Sequence, residues 1–361
     1  MKALIIVNEN PLGSHPDVYE AFDLLVEEGL LSGYDVVPYL HLRADGQSDA
    51  TIVRSITEAV SSGGHGLVIW MHTGSLEVDD ESLERITSVP SRPKMVYWEG
   101  DSYHPFYKPI PRTMTDIMRS CAQVYVPCGG PMIRSLRAAG VKHVRYAPSC
   151  ASGTRFPHVW SAGGAYQHDI VVVGNRVSSR IPFKTMPGAR RRRVLVDALV
   201  RRYGRRVAVY ESGWTGPNAM GPLQFDEQQR VYESSLMSVG VNNSTYPYVF
   251  SNRLPIALAC GVPLLYHRNP GFDEIFPSEL GDLFFDDERS VFARIDALIS
   301  AGPQHLAAIS RRNRQFFEEN FTRVTVASFI VRRAMGGACW SASEESIRWQ
   351  QLPALLAVCD A

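Results

Sequence analysis

Six short runs near the start of the chain are apolar at most positions: KALIIV, YDVVPYL, HGLVIWMH, KMVYWEG, AQVYVPC and VKHVRYAP. Between them, stretches such as PDVYEAFDLLVEEGLLSG and ATIVRSITEAVSSG space their apolar residues three and four apart. The first pattern predicts strands buried on both faces, and the second predicts helices with one face on a core. Their alternation predicts a parallel sheet between two helical layers, a doubly wound α/β domain.

The stretch SCASGTRFPHVWSAGGAYQ interrupts this rhythm with Ser, Gly and Pro. A second series then begins: DIVVVGN, GARRRRVLVDALVRRYG, RRVAVYESG, MSVGVNNS, NRLPIALACG and VPLLYH, followed by further helical segments. The expected fold class is therefore α/β, two doubly wound Rossmann-like domains facing across a cleft. The expected boundaries are 1–150 for the first domain, 151–168 for a linker, 169–335 for the second domain and 336–361 for a helical tail. The tail has two equal readings, packing back on the first domain or closing the second. In open parallel sheets ligands bind beyond the carboxyl ends of the strands, so two such domains suit an enzyme that joins two substrates.

A chain of 361 residues with 45% apolar and 20% charged residues has the composition of a folded globular protein. Its longest apolar runs are strand-length, far short of the roughly 20 residues that span a membrane. The start MKALIIVNENPLG reads as a first strand and not as a secretory signal, which predicts a cytoplasmic protein. A formal net charge of zero argues against a coat for nucleic acid or an anionic membrane. The cysteines 121, 128, 150, 260, 339 and 359 include no CxxC pair, so neither a zinc site nor a disulfide framework is expected.

The second series, from DIVVVGN through YESGW to SNRLPIALACGVPLLYHRNPGFDEIF, resembles the donor domain of GT-B glycosyltransferases, the CgeB-like group of the glycosyltransferase family 1 type in particular. The first half agrees through VYWEGDSYHP and AAGVKHVRYAPSCASGTRFP. The resemblance implies a metal-independent transfer of sugar from a nucleotide sugar to an unidentified acceptor, with retention, and no cofactor beyond the nucleotide sugar itself. One departure stands out. Where many retaining members carry two glutamates eight positions apart, this chain has Tyr248 and Ile256, so ribose would have to be held by other groups such as Asn252 or Glu274.

Such chemistry has to stabilise a departing diphosphate, and helix N-termini and guanidinium groups do so without a metal. Arg253 opens the apolar helix after the loop NNSTYPYVFSN, where a cation is unfavourable unless an anion balances it. It is the expected diphosphate ligand and a catalytic residue, and Ser251 and Asn252 beside it are expected to bind the donor. Asn175, Arg176, Arg180 and Lys184 follow the first strand of this half and are further donor candidates, whereas Arg190 to Arg193 read as a solvated helix face. Gly213, Trp214, Leu223, Gln224, Phe225 and Tyr248 are expected around the nucleotide, with Trp214 equally a hydrophobic wedge under its loop. In the first half, Asp101 is the expected base, and Gly13, Ser14, His15, His72, Glu99 and His104 are the acceptor-side candidates. A strand-end acid of this kind is more often a cap or loop acceptor.

Two other functions fit the same residues. Loss of the glutamate pair suits a non-catalytic nucleotide- or sugar-binding protein, and a GT-B-fold epimerase acting on the nucleotide sugar would need more acids and histidines than the second half offers.

Overall fold

The computed structural model describes residues 1–90, 92–157, 159–177, 184–336 and 347–352. The chain divides into two compact units, Met1–Pro148 with Arg323–Ala361, and Ser149–Thr322.

The first unit is built on a six-stranded parallel sheet with strands β1 (Lys2–Val7), β2 (Gly33–Pro38), β3 (His65–Met71), β4 (Lys94–Trp98), β5 (Gln123–Val126) and β6 (Val144–Tyr146). Their order is β2-β1-β3-β4-β5-β6, with Ile5 beside Ile69 and Ile69 beside Val96 in register. Ile5, Ile69, Trp70, Tyr97 and Tyr125 are fully buried, as strands covered on both faces require. The order reverses between β1 and β3, which opens a crevice at their carboxyl ends. Flanking helices start where the sequence supplies caps: Ser48 accepts from the Thr51 N–H at 3.2 Å and Asp79 from the Ser82 N–H at 2.6 Å.

Residues 323–335, expected from sequence in the second domain, belong to this first unit. The helix Arg323–Ala334 packs on the helix Pro16–Glu27, and Arg323 Nε lies 2.9 Å from the buried Asp17 carboxylate. Phe329 meets Tyr125 and Trp349 edge-on, with centroids 5.8 and 5.0 Å apart.

The second unit holds a matching sheet of β7 (His168–Val173), β8 (Val207–Tyr210), β9 (Ala219–Gly221), β10 (Ser235–Gly240), β11 (Leu264–His267) and β12 (Phe284–Phe285). The order is β12-β11-β10-β7-β8-β9, reversing between β7 and β10. β9 lies in a stretch that reads as loop, since AMG has no apolar pattern of its own and is a strand only because β8 is beside it. The segment 151–168, expected as a linker, contributes to this unit: Trp160 is buried and its indole N–H donates to the Ser235 carbonyl at 2.8 Å. Its Pro and Gly residues shape a coil that turbulent spacing alone could not distinguish from a solvated connection.

Candidate active site

The helix Arg253–Cys260 follows the loop after β10, and Gly261, in the left-handed region at φ 69°, ends it. Residues 254–260 are all buried, so only the N-terminal turn meets a polar environment. Asn242 holds the incoming loop: its Oδ1 accepts the Ser251 N–H at 3.0 Å and the Tyr266 hydroxyl at 2.6 Å, and its Nδ2 donates to the Val249 carbonyl at 2.7 Å. Arg253 is thereby set beside the β7–β10 switch point. Its guanidinium pairs with Glu211 at 3.0 Å, while its Nε is buried with no hydrogen-bond partner.

Arg192 corrects the expectation of a solvated basic run. Arg190, Arg191 and Arg193 are exposed, but Arg192 is 5% exposed, with Nε donating to the Val241 carbonyl at 2.8 Å and Nη1 to the Asn175 carbonyl at 2.9 Å. Burial, together with the nearby Arg253 cation, pulls its pKa down to about 10. The two guanidiniums therefore flank the carboxyl ends of β7 and β10. The sequence run of four arginines hid this, because only the helical phase turns one of them inward.

The loops after β7 and β8 are tied to each other. Asn175 Oδ1 accepts the Ser212 N–H at 3.1 Å, the Arg176 N–H donates to the Ser212 carbonyl at 2.9 Å, and Trp214 donates its indole N–H to the Gly174 carbonyl at 2.6 Å. Gly213 sits at φ 87°, and a Cβ there would come within 2.6 Å of the Arg176 carbonyl oxygen, so this approach needs glycine. Trp214 is half-buried there, with the Arg176 guanidinium over its ring at 5.8 Å.

Other donor candidates lie in several settings. Arg180 lies outside the described residues, and Lys184 is exposed. Gln224 caps a short 3-10 turn with Glu227, and Phe225 is covered by the Arg155 guanidinium 4.1 Å above its ring and by Phe156. Leu223 precedes that turn and is half-buried. Tyr248, at φ 64°, is buried with its hydroxyl donating to Glu274 at 3.0 Å, Ile256 is in the core, and Asn252 is exposed at the helix start.

In the first unit the candidates converge at the ends of β1, β3 and β4. Glu99 follows β4 and is fully buried; one oxygen takes His72 Nδ1 in a very short contact and the Asp101 N–H at 2.8 Å, and its Oε2 has no partner. His72 Nε2 faces Asp101 at 3.8 Å, and the Asp101 carboxylate binds Lys108 at 2.6 Å. Burial of the imidazole pulls its pKa down, but the hydrogen bond and charge of Glu99 and the charge of Asp101 push it up, and the net direction is up. His72, Glu99 and Asp101 offer donor atoms within 4.8 Å of one another, a set that could hold a cation, with the Lys108 ammonium already at Asp101.

After β1, Glu9, absent from the sequence candidates, is fully buried and accepts the His15 N–H at 3.0 Å and the Tyr19 hydroxyl at 2.5 Å. His15 thus precedes the helix Pro16–Glu27, while Ser14 and the exposed Gly13 form the turn before it. His104 Nδ1 closes its own turn by accepting the Phe106 N–H at 3.0 Å, so the turn engages it.

Residues 190–332 match a family model described as glycosyl transferase-like. No curated protein matches the sequence. Among solved structures, HepE of Anabaena in complex with UDP-glucose is similar at 14% identity over 93% of this chain and 100% of that one, with a TM-score of 0.57. The T4 phage β-glucosyltransferase in complex with its UDP-glucose substrate is similar at 13% identity, over 92% and 99% of the two chains, with a TM-score of 0.55. A glycosyltransferase from Rickettsia africae is similar at 13% identity, over 93% and 99%, with a TM-score of 0.59. The fold is GT-B, two Rossmann-like domains. The glycosyl transferase-like match covers most of the second unit and the start of the helix that returns to the first. No helix among the described residues is long and apolar enough to cross a membrane.

Proposed function

We propose that this chain transfers a sugar from a nucleoside-diphosphate sugar to a hydroxyl acceptor, with inversion and without a divalent metal. The observation that carries this reading is the pair Arg192 and Arg253 at the β7–β10 switch point, beside the start of an eight-residue helix. Two guanidiniums and the first N–H groups of that helix supply the positive potential that a leaving diphosphate needs, in the place where a doubly wound sheet receives a ligand. UDP-glucose bound to structures of the same fold agrees with a nucleotide-sugar donor.

On the acceptor side, His72 is the proposed base. Glu99 holds Nδ1–H, which leaves Nε2 with its lone pair outward to take an acceptor hydroxyl proton, and Glu99 stabilises the imidazolium that results. Asp101, the base expected from sequence, is engaged by Lys108 and adds negative charge beside the imidazolium. A base of this design suits direct displacement, whereas the resemblance to retaining enzymes and the missing glutamates pull in opposite directions. Incubation with a panel of nucleotide sugars, with and without candidate acceptors, should release nucleoside diphosphate in an acceptor-dependent way. Acceptor-independent binding with no release from any donor supports the non-catalytic alternative, and the anomeric proton coupling of the product separates inversion from retention.

A further inference from the structure

Glu211 stands in an unusual backbone state for its residue type. It directly follows β8 and has φ 94°, a region that favours glycine, with its N–H held by the Gly221 carbonyl at 2.7 Å. In that conformation its carboxylate reaches Arg253, and both side chains are largely shielded from water, at 15% and 25% exposure. Arg192, close enough to respond to both charges, donates to the neutral carbonyls of Val241 and Asn175, and among the described residues it pairs with no carboxylate. Among the described residues the switch point thus holds two guanidiniums and one carboxylate, and the carboxylate sits on the group assigned to the diphosphate.

We propose that Glu211 is an internal counter-ion for Arg253, which the donor's diphosphate displaces on binding and which returns to Arg253 when the nucleoside diphosphate leaves. This rests on the reading that Arg253 binds diphosphate. The physical case is a competition of anions for one cation in a partly desolvated place, where a carboxylate and a phosphate oxygen make the same charge-assisted bond to a guanidinium. An empty site with Arg253 unpaired would leave a buried charge uncompensated, and Glu211 removes that cost. The occupied site meets the opposite effect, because the carboxylate remains near a polyanion and weakens its hold. Glu211 is therefore a positioning residue that favours product departure, a step that limits turnover in many enzymes.

The test is calorimetric titration of the full chain with inorganic pyrophosphate, which needs no knowledge of the base or sugar, in the parent, Glu211→Gln and Arg253→Ala. Glu211→Gln should bind pyrophosphate about tenfold more tightly and release it more slowly, a gain that structural damage does not produce. Glu211→Gly accepts φ 94° without strain and should show the same gain, which keeps the test decisive where the glutamine variant fails to fold. Unchanged or weaker binding in both folded Glu211 variants, with binding still lost in Arg253→Ala, overturns the counter-ion while leaving the diphosphate site intact. Parent-like pyrophosphate binding by Arg253→Ala overturns the diphosphate assignment itself.

Discussion

A single arginine at the start of an apolar helix and a single histidine on a buried glutamate carry most of the chemistry assigned to this chain. If Arg253 stabilises the charge growing on the leaving diphosphate, Arg253→Ala should lower turnover about 10²–10³-fold with a smaller loss of donor binding, since that charge is greatest in the transition state. Arg253→Lys keeps the charge but loses the fork of donors, and should recover part of the rate; steady-state kinetics on the donor identified by the panel check both. His72 makes a pH prediction. Its pKa lies above the ordinary value of about 6.5, so the neutral imidazole needed in a base accumulates only as pH rises through the raised value, and the rate should climb above pH ~6.5. The same shift favours the protonated, folded form: its stabilising effect is complete below the unfolded pKa and fades as pH rises through the folded one. Glu99→Gln removes the charge that raises the pKa, and the ascending limb of the pH–rate profile should move to lower pH. Arg253 was legible in the sequence because a cation opening an apolar helix has no local justification. Glu211 as the partner of Arg253 and Glu99 as the partner of His72 were not legible, because each pairing joins segments brought together only by the fold.

At the scale of elements, the site depends on how closely the helix Pro187–Tyr203 approaches the loop after β10. Gly188 donates its N–H to the Asn243 carbonyl at 2.6 Å, and a Cβ on Gly188 would fall 2.1 Å from the Asn242 carbonyl oxygen. Backbone cannot yield as a flexible side chain can, so Gly188→Ala should push the helix away from Asn242 and Arg192 away from Val241. A loss of about 2–3 kcal/mol is expected, which for a unit of this size is a drop in melting temperature of about 5–10 °C; a thermal melt followed by circular dichroism checks it. Helices and strands with their own pattern were readable, from KALIIV to the helix ended by Gly261. β9 and the two-residue β12 were not, since three or two residues have no period and exist as strands only beside β8 and β11.

At the scale of the whole molecule, the chain runs through the second unit and then returns to the first. Arg323 and Asp17, 306 positions apart, form an ion pair in which Asp17 is 6% exposed. Burial raises the Asp17 pKa, but the charge and hydrogen bond of Arg323 lower it further, and the net direction is down. The stabilisation is therefore present above the unfolded pKa of about 3.9 and is lost as pH falls through the lower folded value. Arg323→Ala leaves a buried carboxylate without its cation and should cost about 3 kcal/mol, read as a lower urea midpoint at neutral pH, with the difference from the parent shrinking in acid. Metal dependence also belongs to this scale. Full turnover in EDTA is expected if the guanidiniums supply the charge at the diphosphate; loss in EDTA restored by magnesium or manganese would instead direct attention to His72, Glu99 and Asp101.

By itself the sequence determined the two α/β halves, the strands and helices with a clear period, and the individual residues whose type clashed with their local setting, Arg253 above all. Those features arise from burial and local geometry, which neighbouring residues encode. The tertiary structure decided what had to be brought together from afar: the return of residues 323–334 to the first unit, the inward turn of Arg192, the hold of Glu99 on His72 and the seat of Glu211 on Arg253. Each is a contact between elements far apart in sequence, or a choice of which helical face meets a sheet, and charge and hydrogen-bond energies of that kind depend on distances that no stretch of sequence contains.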